Sequence, residues 1–410
     1  MDFDDNVTML TEGWVYSATK GNTADASWLS LADPASSDIA YNAGKLYVLN
    51  GKPYLTGTIA VVDAKTGAKI KDLDMTGVTG GWNYSAGLAV LGGNLLLSNA
   101  ARATDNFIVY IWDDDNSKPR VFLNVDGAGH GSIDVGDRLN VAGDMTNGKI
   151  LVSNSTKMLI YPVTNGTAST AYQTVTFGKT LGSHRAMVDI TANADGTYWV
   201  TAKDTPPTHI AADGTILETV ETSYANVYAT GAEFIDFGTR KYMAAMTYLN
   251  KAGGTTTLAD GALTFTDITD GININAPQIY PQDSNGTALG LGSTRNTRHY
   301  CPIVYAVEDN TLNIWALSGY QGIGYWYYNG EKKSAVETIS AGAMRIGYNG
   351  REVSVAGADA ARISVYSTSG AMVADVRGEN TLNVSLLARG MYIVRALDRE
   401  GNVATRKIMR

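Results

Sequence analysis

Three of the four histidines in this 410-residue chain, His130, His184 and His299, stand in glycine- or polar-rich connections that also carry Trp82, Tyr84, Tyr224, Tyr228, Arg185, Arg295, Arg298 and Tyr300. Aromatic faces beside imidazole and guanidinium donors suit a sugar ring, an acidic glycan or a peptide. Trp82, Tyr84, His130, His184, Arg185, Tyr228, Arg298, His299 and Tyr300 are therefore the candidate ligand-binding residues. Each has a second possible role, since buried aromatics and histidines also pack joints and satisfy loop carbonyls. Three imidazoles from separate loops can meet a tetrahedral ion with an open position. No H-x-H or H-E-x-x-H spacing supports that here, so no metal and no cofactor are expected.

Acid chemistry has fewer carriers. Asp189, Glu233 and Asp236 fall in expected inner strands, where paired carboxyls could hydrolyse a glycosidic bond or simply bond the channel wall. No G-x-S-x-G elbow, phosphate-binding loop or dinucleotide fingerprint occurs. The run WDDDNSKP (112–119) lacks the glycine and distal glutamate of a calcium loop and reads as a solvated hairpin. Cys301 is the single cysteine, so no internal disulfide forms, and a buried structural thiol is the expectation. The missing catalytic patterns favour non-catalytic binding or adhesion, with an extracellular polysaccharide hydrolase or lyase as the alternative.

Charge and hydropathy narrow the partners. With 32 Lys+Arg against 40 Asp+Glu the net charge is -8, and without a basic run nucleic acid is not an expected partner. No apolar stretch reaches the roughly 18 residues of a transmembrane helix. The opening MDFDDNV lacks the basic and apolar regions of a secretory leader, which fits either a cytosolic protein or one whose leader has been removed.

These residues must be positioned by strands. Six times a turn pair is followed by a strand-like run: AGKLYVLN, GGNLLLSN, NGKILVSN, DGTYWVT, GTRKYMAA and DNTLNIWAL. The turn markers are Gly44, Gly93, Gly148, Gly196, Gly238 and Asn310. Units near 40 to 50 residues with several strands each predict propeller blades. In the first unit DIAYN, LYVLN, TIAVVD and KIKDLDM supply four strands, with hairpin glycines at Gly44 and Gly67. The histidine-bearing connections would then gather at one channel mouth. WVYSAT (14–19) and SWLSLA (27–32) are left over, and could complete the last blade and remove its free edge. The expected fold is all-β: a six-bladed β-propeller, or alternatively a seven-bladed one, over residues 1–335, and a small β-sandwich over 344–410.

The rhythm changes near Met344 to EVSVAG, RISVYS, AMVADV, LNVSL, MYIVRAL and ATRKIM. Val365-Tyr366 before a Ser369-Gly370 turn, then LLARGMYIVR (386–395), then the basic end Arg406-Lys407-Ile408-Met409-Arg410 resemble the C-terminal sorting domain of the type IX secretion system of Bacteroidetes. That resemblance implies export to the cell surface or medium and contact with the secretion machinery; as the alternative the domain is a structural module. More loosely, the propeller part resembles Bacteroidetes surface-protein propellers of unknown function, which transfer no catalytic residue.

Overall fold

The computed structural model describes residues 10–17, 26–33, 35–52, 55–182, 188–203, 205–221, 229–247, 251–252, 256–257, 261–292, 296, 298–330, 344–367 and 370–410. The chain divides into two compact units, Met1–Gly330 and Glu331–Arg410.

Among the described residues the first unit contains six successive antiparallel sheets of four or five strands and one two-stranded ribbon, Lys251–Ala252 with Thr256–Thr257. Ser36–Asn42, Lys45–Lys52, Leu55–Asp63 and Lys69–Asp72 form the first, each strand bonded to the next. Asn83–Leu91, Asn94–Ala100, Phe107–Ile111 and Arg120–Val125 form the second in the same manner. The third begins with Asn140–Gly143, the fourth with Asp189–Ala192 and the fifth with Ala229–Phe237. In the sixth, Ile303–Glu308, Thr311–Ser318 and Gly322–Asn329 are completed by the N-terminal Thr11–Ser17, which pairs antiparallel with Gly322–Asn329. SWLSLA is not a strand. Trp28 sits in a turn, buried edge-on against Trp14 at 6.4 Å and Tyr16 at 5.6 Å.

The middle strands explain the arrangement. Tyr47, Leu49, Ile59 and Val61 pack with Leu95, Leu97 and Tyr110 of the second sheet. Their alternating neighbours Leu46, Val48, Ala60 and Val62 pack with Trp315, Leu317 and Ile323 of the sixth. Successive strand residues point to opposite faces, so a continuous apolar run means that both faces are covered. Separate clusters join the second sheet to the third, the third to the fourth, the fourth to the fifth and the fifth to the sixth. The last strands of the first and fourth sheets, Lys69–Asp72 and Ile216–Thr219, are largely exposed. The first strands lie beside one another in turn, and that of the sixth sheet lies against that of the first.

A seam of aromatics joins the sixth sheet to the first. Trp315 is fully buried, stacked on Tyr41 at 4.4 Å and Tyr325 at 5.1 Å. The Nε1 atoms of Trp315 and Trp14 both donate to the Ala64 carbonyl, at 2.8 and 3.0 Å. Tyr41 also bonds Glu308 of the sixth sheet. In the WDDDNSKP hairpin, Asp115 bonds Lys45 and accepts from the Tyr47 hydroxyl at 2.8 Å, so one of its acids ties the second sheet to the first.

In the second unit Arg345–Tyr348, Glu352–Ala356 and Thr381–Asn383 form one sheet. Ala360–Ser367, Met372–Arg377, Met391–Asp398 and Val403–Met409 form the other. Val353, Val355, Ile363, Val365, Val394 and Ile408 contribute to one core shared by both. Replacing Trp315 by Ala removes an indole that faces two sheets, and should cost about 3–5 kcal/mol in urea unfolding. A loss below about 1 kcal/mol would show that the seam does not hold the unit together.

Candidate functional site

Of the sequence-predicted residues, Trp82, His130, Arg298, His299 and Tyr300 lie in connections that lead into first strands, and Tyr84 lies in the first strand of the second sheet. Trp82 is half-buried; its amide donates to the Ala100 carbonyl at 3.0 Å, and the Arg102 guanidinium lies 5.7 Å from its ring centre. Tyr84 packs against the cluster between the first and second sheets. His130 is fully buried in a short helical turn, with Nε2 2.7 Å from the Asp105 carbonyl. The carbonyl of His299 accepts from the Thr230 hydroxyl at 2.6 Å. Arg298 reaches Asp33 at 3.6 Å and shares a recess of only about 10 Å³ with Tyr300, Asp137 and Asn83. Burial pushes the Tyr300 phenol up to about 12. A recess of that size admits about one water. His184, Arg185 and Tyr228 lie outside the described residues, as do Tyr224 and Arg295.

A larger cavity lies among the first strands. A cavity of about 340 Å³ is lined by the first strands of all six sheets, within the size range of small-molecule sites. Its lining runs from Asp38, Leu88, Arg138 and Asp189 onward to Tyr41, Val90, Gly143 and Ala192. It therefore extends along the strands away from the predicted connections, toward the hairpin ends. Arg138 and Asn140, and likewise Asp189 and Thr191, are two residues apart and so share a face. The intervening Leu139 and Ile190 enter the clusters between sheets. Gly231 permits the close approach of the fifth and sixth first strands: a Cβ there would stand 2.1 Å from the Cys301 carbonyl.

The polar groups of this cavity form one network. Asp38 accepts from the amides of Ile39 and Leu88, each at 2.9 Å, and from Arg138 Nη1 at 3.1 Å. Burial still outweighs these bonds and raises the Asp38 carboxyl to about 6. Arg138 is 7% exposed, and its Nε and Nη2 have no partner among the described residues. Asn140 Nδ2 donates to Asp189 Oδ1 at 2.7 Å, while Asn140 Oδ1 has no partner among the described residues. Burial first, and then the Asp189 charge, hold Glu233 well above the ordinary carboxyl value. Cys301 is buried and its thiol is pushed up to about 12 by burial, as a structural cysteine would be.

Sequence reasoning named Asp189 and Glu233 but grouped Asp236 with them. Asp236 is three residues from Glu233 and so faces the other way; its side chain is 83% exposed, 4.0 Å from Lys241. Asp38, Arg138 and Asn140 were not singled out. A polar residue at the start of an otherwise apolar inner strand was the available signal. A second groove, between the fourth and fifth sheets, encloses about 580 Å³. Its Trp199 is already stacked between His209 at 4.6 Å and Phe234 at 3.9 Å, which leaves neither ring face for a sugar. Among the described residues no group of three or more His, Cys, Asp or Glu is placed to hold a metal ion.

Two raised carboxyls give the pH response a definite sign. A carboxyl held above its unfolded value makes the fold stable at low pH and costs stability as pH rises through the folded value. For Asp38 the interval from 3.8 to about 6 corresponds to a loss of about 3 kcal/mol. Glu233→Gln removes the second charge and should raise the unfolding midpoint at about pH 8, with the gain shrinking toward pH 4.5, as denaturation at several pH values will measure. A gain independent of pH would show that Glu233 does not ionise against Asp189.

Residues 51–283 match the family described as Domain of unknown function (DUF4623), and residues 342–410 match the Secretion system C-terminal sorting domain. No curated protein matches the chain. A DUF4623 family protein from Bacteroides eggerthii is similar in structure, with TM-score 0.57 and 18% identity over 79% of this chain and 76% of that one. An alpha-L-arabinofuranosidase from Fusarium graminearum (TM-score 0.47, 10% identity, 78% of this chain, 98% of that one) and the Malassezia sympodialis allergen Mala s 1 (TM-score 0.43, 12% identity, 72% of this chain, 93% of that one) are more distant. No helix among the described residues is long and apolar enough to cross a membrane. The sorting tail marks a protein delivered to the cell surface or the medium, and the match over more than half of its length establishes that the chain belongs to the DUF4623 family.

Proposed function

We propose that Met1–Gly330 is a six-bladed β-propeller closed by its N-terminal strand, and that this exported protein recognises a glycan in the central cavity without cleaving it. Six sheets in sequence order, five of four strands and the third of five, support the blade reading, as does the packing of the sixth sheet on the first. The observation that carries the ligand reading is a cavity of about 340 Å³ lined by the first strands of all six sheets, with Arg138 and the Asn140–Asp189 pair in its lining. A sugar offers hydroxyls that both donate and accept at short spacing, which an extended peptide backbone does not. The alternative, a glycan hydrolase, draws on Asp189 and Glu233, which interact in the same cavity.

A glycan array and a hydrolysis screen on the same pure protein separate these outcomes. Binding without product is expected. Asn140→Ala should weaken binding about tenfold, close to 1.4 kcal/mol, with little change in melting temperature; an unchanged affinity would place the ligand elsewhere. Released reducing ends would establish the hydrolase instead.

The tail generates a separate test. Deleting residues 342–410, the sorting-domain match, should leave the protein inside the cell envelope of its native host, as surface labelling and immunoblotting of the medium will measure. Normal surface delivery of the truncated chain would make the tail a structural module only.

A further inference from the structure

The two ends of the central cavity differ. At the end nearer the connections, Asp38 of the first sheet accepts from the Leu88 amide of the second at 2.9 Å and from Arg138 Nη1 of the third at 3.1 Å, so one buried ion pair ties three first strands together. Gly231 draws the other three together: a Cβ there would collide with the Cys301 carbonyl of the sixth sheet and stand 3.4 Å from Asp189 Oδ2 of the fourth. Ser37, Val188 and Cys301, at or beside this level, are 5% exposed or less. Among the described residues this end is a floor. Toward the hairpins the lining opens, since Asp38, Leu88 and Pro302 are buried whereas Tyr41 and Val90 are half-buried, Gly143 is exposed and Tyr305 is 36% exposed. Tyr41 is committed to the fold, its ring stacked on Trp315 and its hydroxyl bonded to Glu308. Tyr305 is not: among the described residues no ring stacks on it and no group bonds its hydroxyl. We propose that the cavity is a blind pocket entered from the hairpin end, which takes the end of a saccharide chain with the following ring on Tyr305 and does not bind internal segments.

This inference rests on the central cavity being the glycan site and adds which part of the glycan enters it. A polymer gripped along its length must leave the site in two directions, as an open groove allows. A pocket with one mouth admits only an end. About 340 Å³ is small for a ligand site, so the enclosed piece is short and the rest of the chain has to cross the rim. Tyr305 stands at that rim. Ile303, two residues before it, packs in the cluster between the fifth and sixth sheets, and Tyr305 shares that face of the strand one step nearer the hairpin. An aromatic ring with an apolar face and a polar tip suits a sugar whose C–H face stacks while its hydroxyls stay in water.

The experiment is a glycan array probed with the full chain, in which each oligosaccharide is attached once through its reducing end and once through its other end, with a further copy of each whose free end carries a bulky cap. Binding is expected in one of the two attachments only, and the cap should weaken it about tenfold or more. Tyr305→Ala should weaken binding of the recognised oligosaccharide about tenfold with the melting temperature unchanged, while Tyr305→Phe, which keeps the ring, should bind nearly as the parent does. Chains that bind equally in both attachments and when capped are held along their length, which overturns the inference while leaving glycan recognition standing. Unchanged affinity in Tyr305→Ala places the entrance elsewhere and overturns it too. An array without binding in either attachment overturns the glycan reading together with this one.

Discussion

Coverage of both faces of every middle strand is the constraint on which the first unit depends. Leu46 and Val48 point one way and Tyr47 and Leu49 the other, and all four are buried. A sheet built from such strands cannot stand at the end of a stack, because one apolar face would meet water at roughly 25 cal/mol per Å². The first sheet therefore needs the second on one side and the sixth on the other. The Ala64 carbonyl, shared by Trp14 and Trp315, is where this requirement becomes a specific bond. Thr11–Ser17, at the other end of the sequence, supplies the strand that covers the edge of Gly322–Asn329.

Bringing six first strands side by side has a second effect: their inward side chains meet in one space. Those positions could have been apolar. Instead Asp38, Arg138, Asn140, Asp189 and Glu233 occupy them, and burial holds two of the carboxyls above their ordinary values. Polar groups held in such a place lower stability at neutral pH, a cost typical of sites that bind or react. In the proposed propeller, a rigid wall of strands fixes the polar groups while the connections pack among themselves. His130 bonded to Asp105 and Arg298 beside Asp33 are examples of that packing.

The second unit follows a simpler rule. Alternation in Met391–Asp398, where Tyr392, Val394 and Ala396 are buried and Ile393 and Arg395 exposed, gives each strand one apolar face. Two sheets with one apolar face each need only one another. The turn between them leaves Leu386 almost fully exposed, while Arg406 is drawn in to the Ile346 carbonyl at 2.6 Å. Export by the sorting route places the DUF4623 unit outside the cell.

The sequence by itself determined most of the strands and their grouping into successive antiparallel sheets. These follow from local chemistry: hairpin glycines such as Gly44 and Gly67 adopt positive φ, and apolar periodicity marks each strand. The tail was legible because its motifs are local too. The candidate site was legible only in part. Asp189 and Glu233 could be assigned to inner strands, and period two would have separated Asp236 from them. That Asp38 joins residues a hundred and more positions away depends on how six first strands converge, which no local pattern encodes. The histidine-bearing connections looked open because glycine surrounds them in sequence, yet His130 is fully buried once the sheets pack. Whether a loop residue faces water or a neighbouring carbonyl is decided by the packing density of the folded chain, so His130 and Tyr300 could be read only from the tertiary structure.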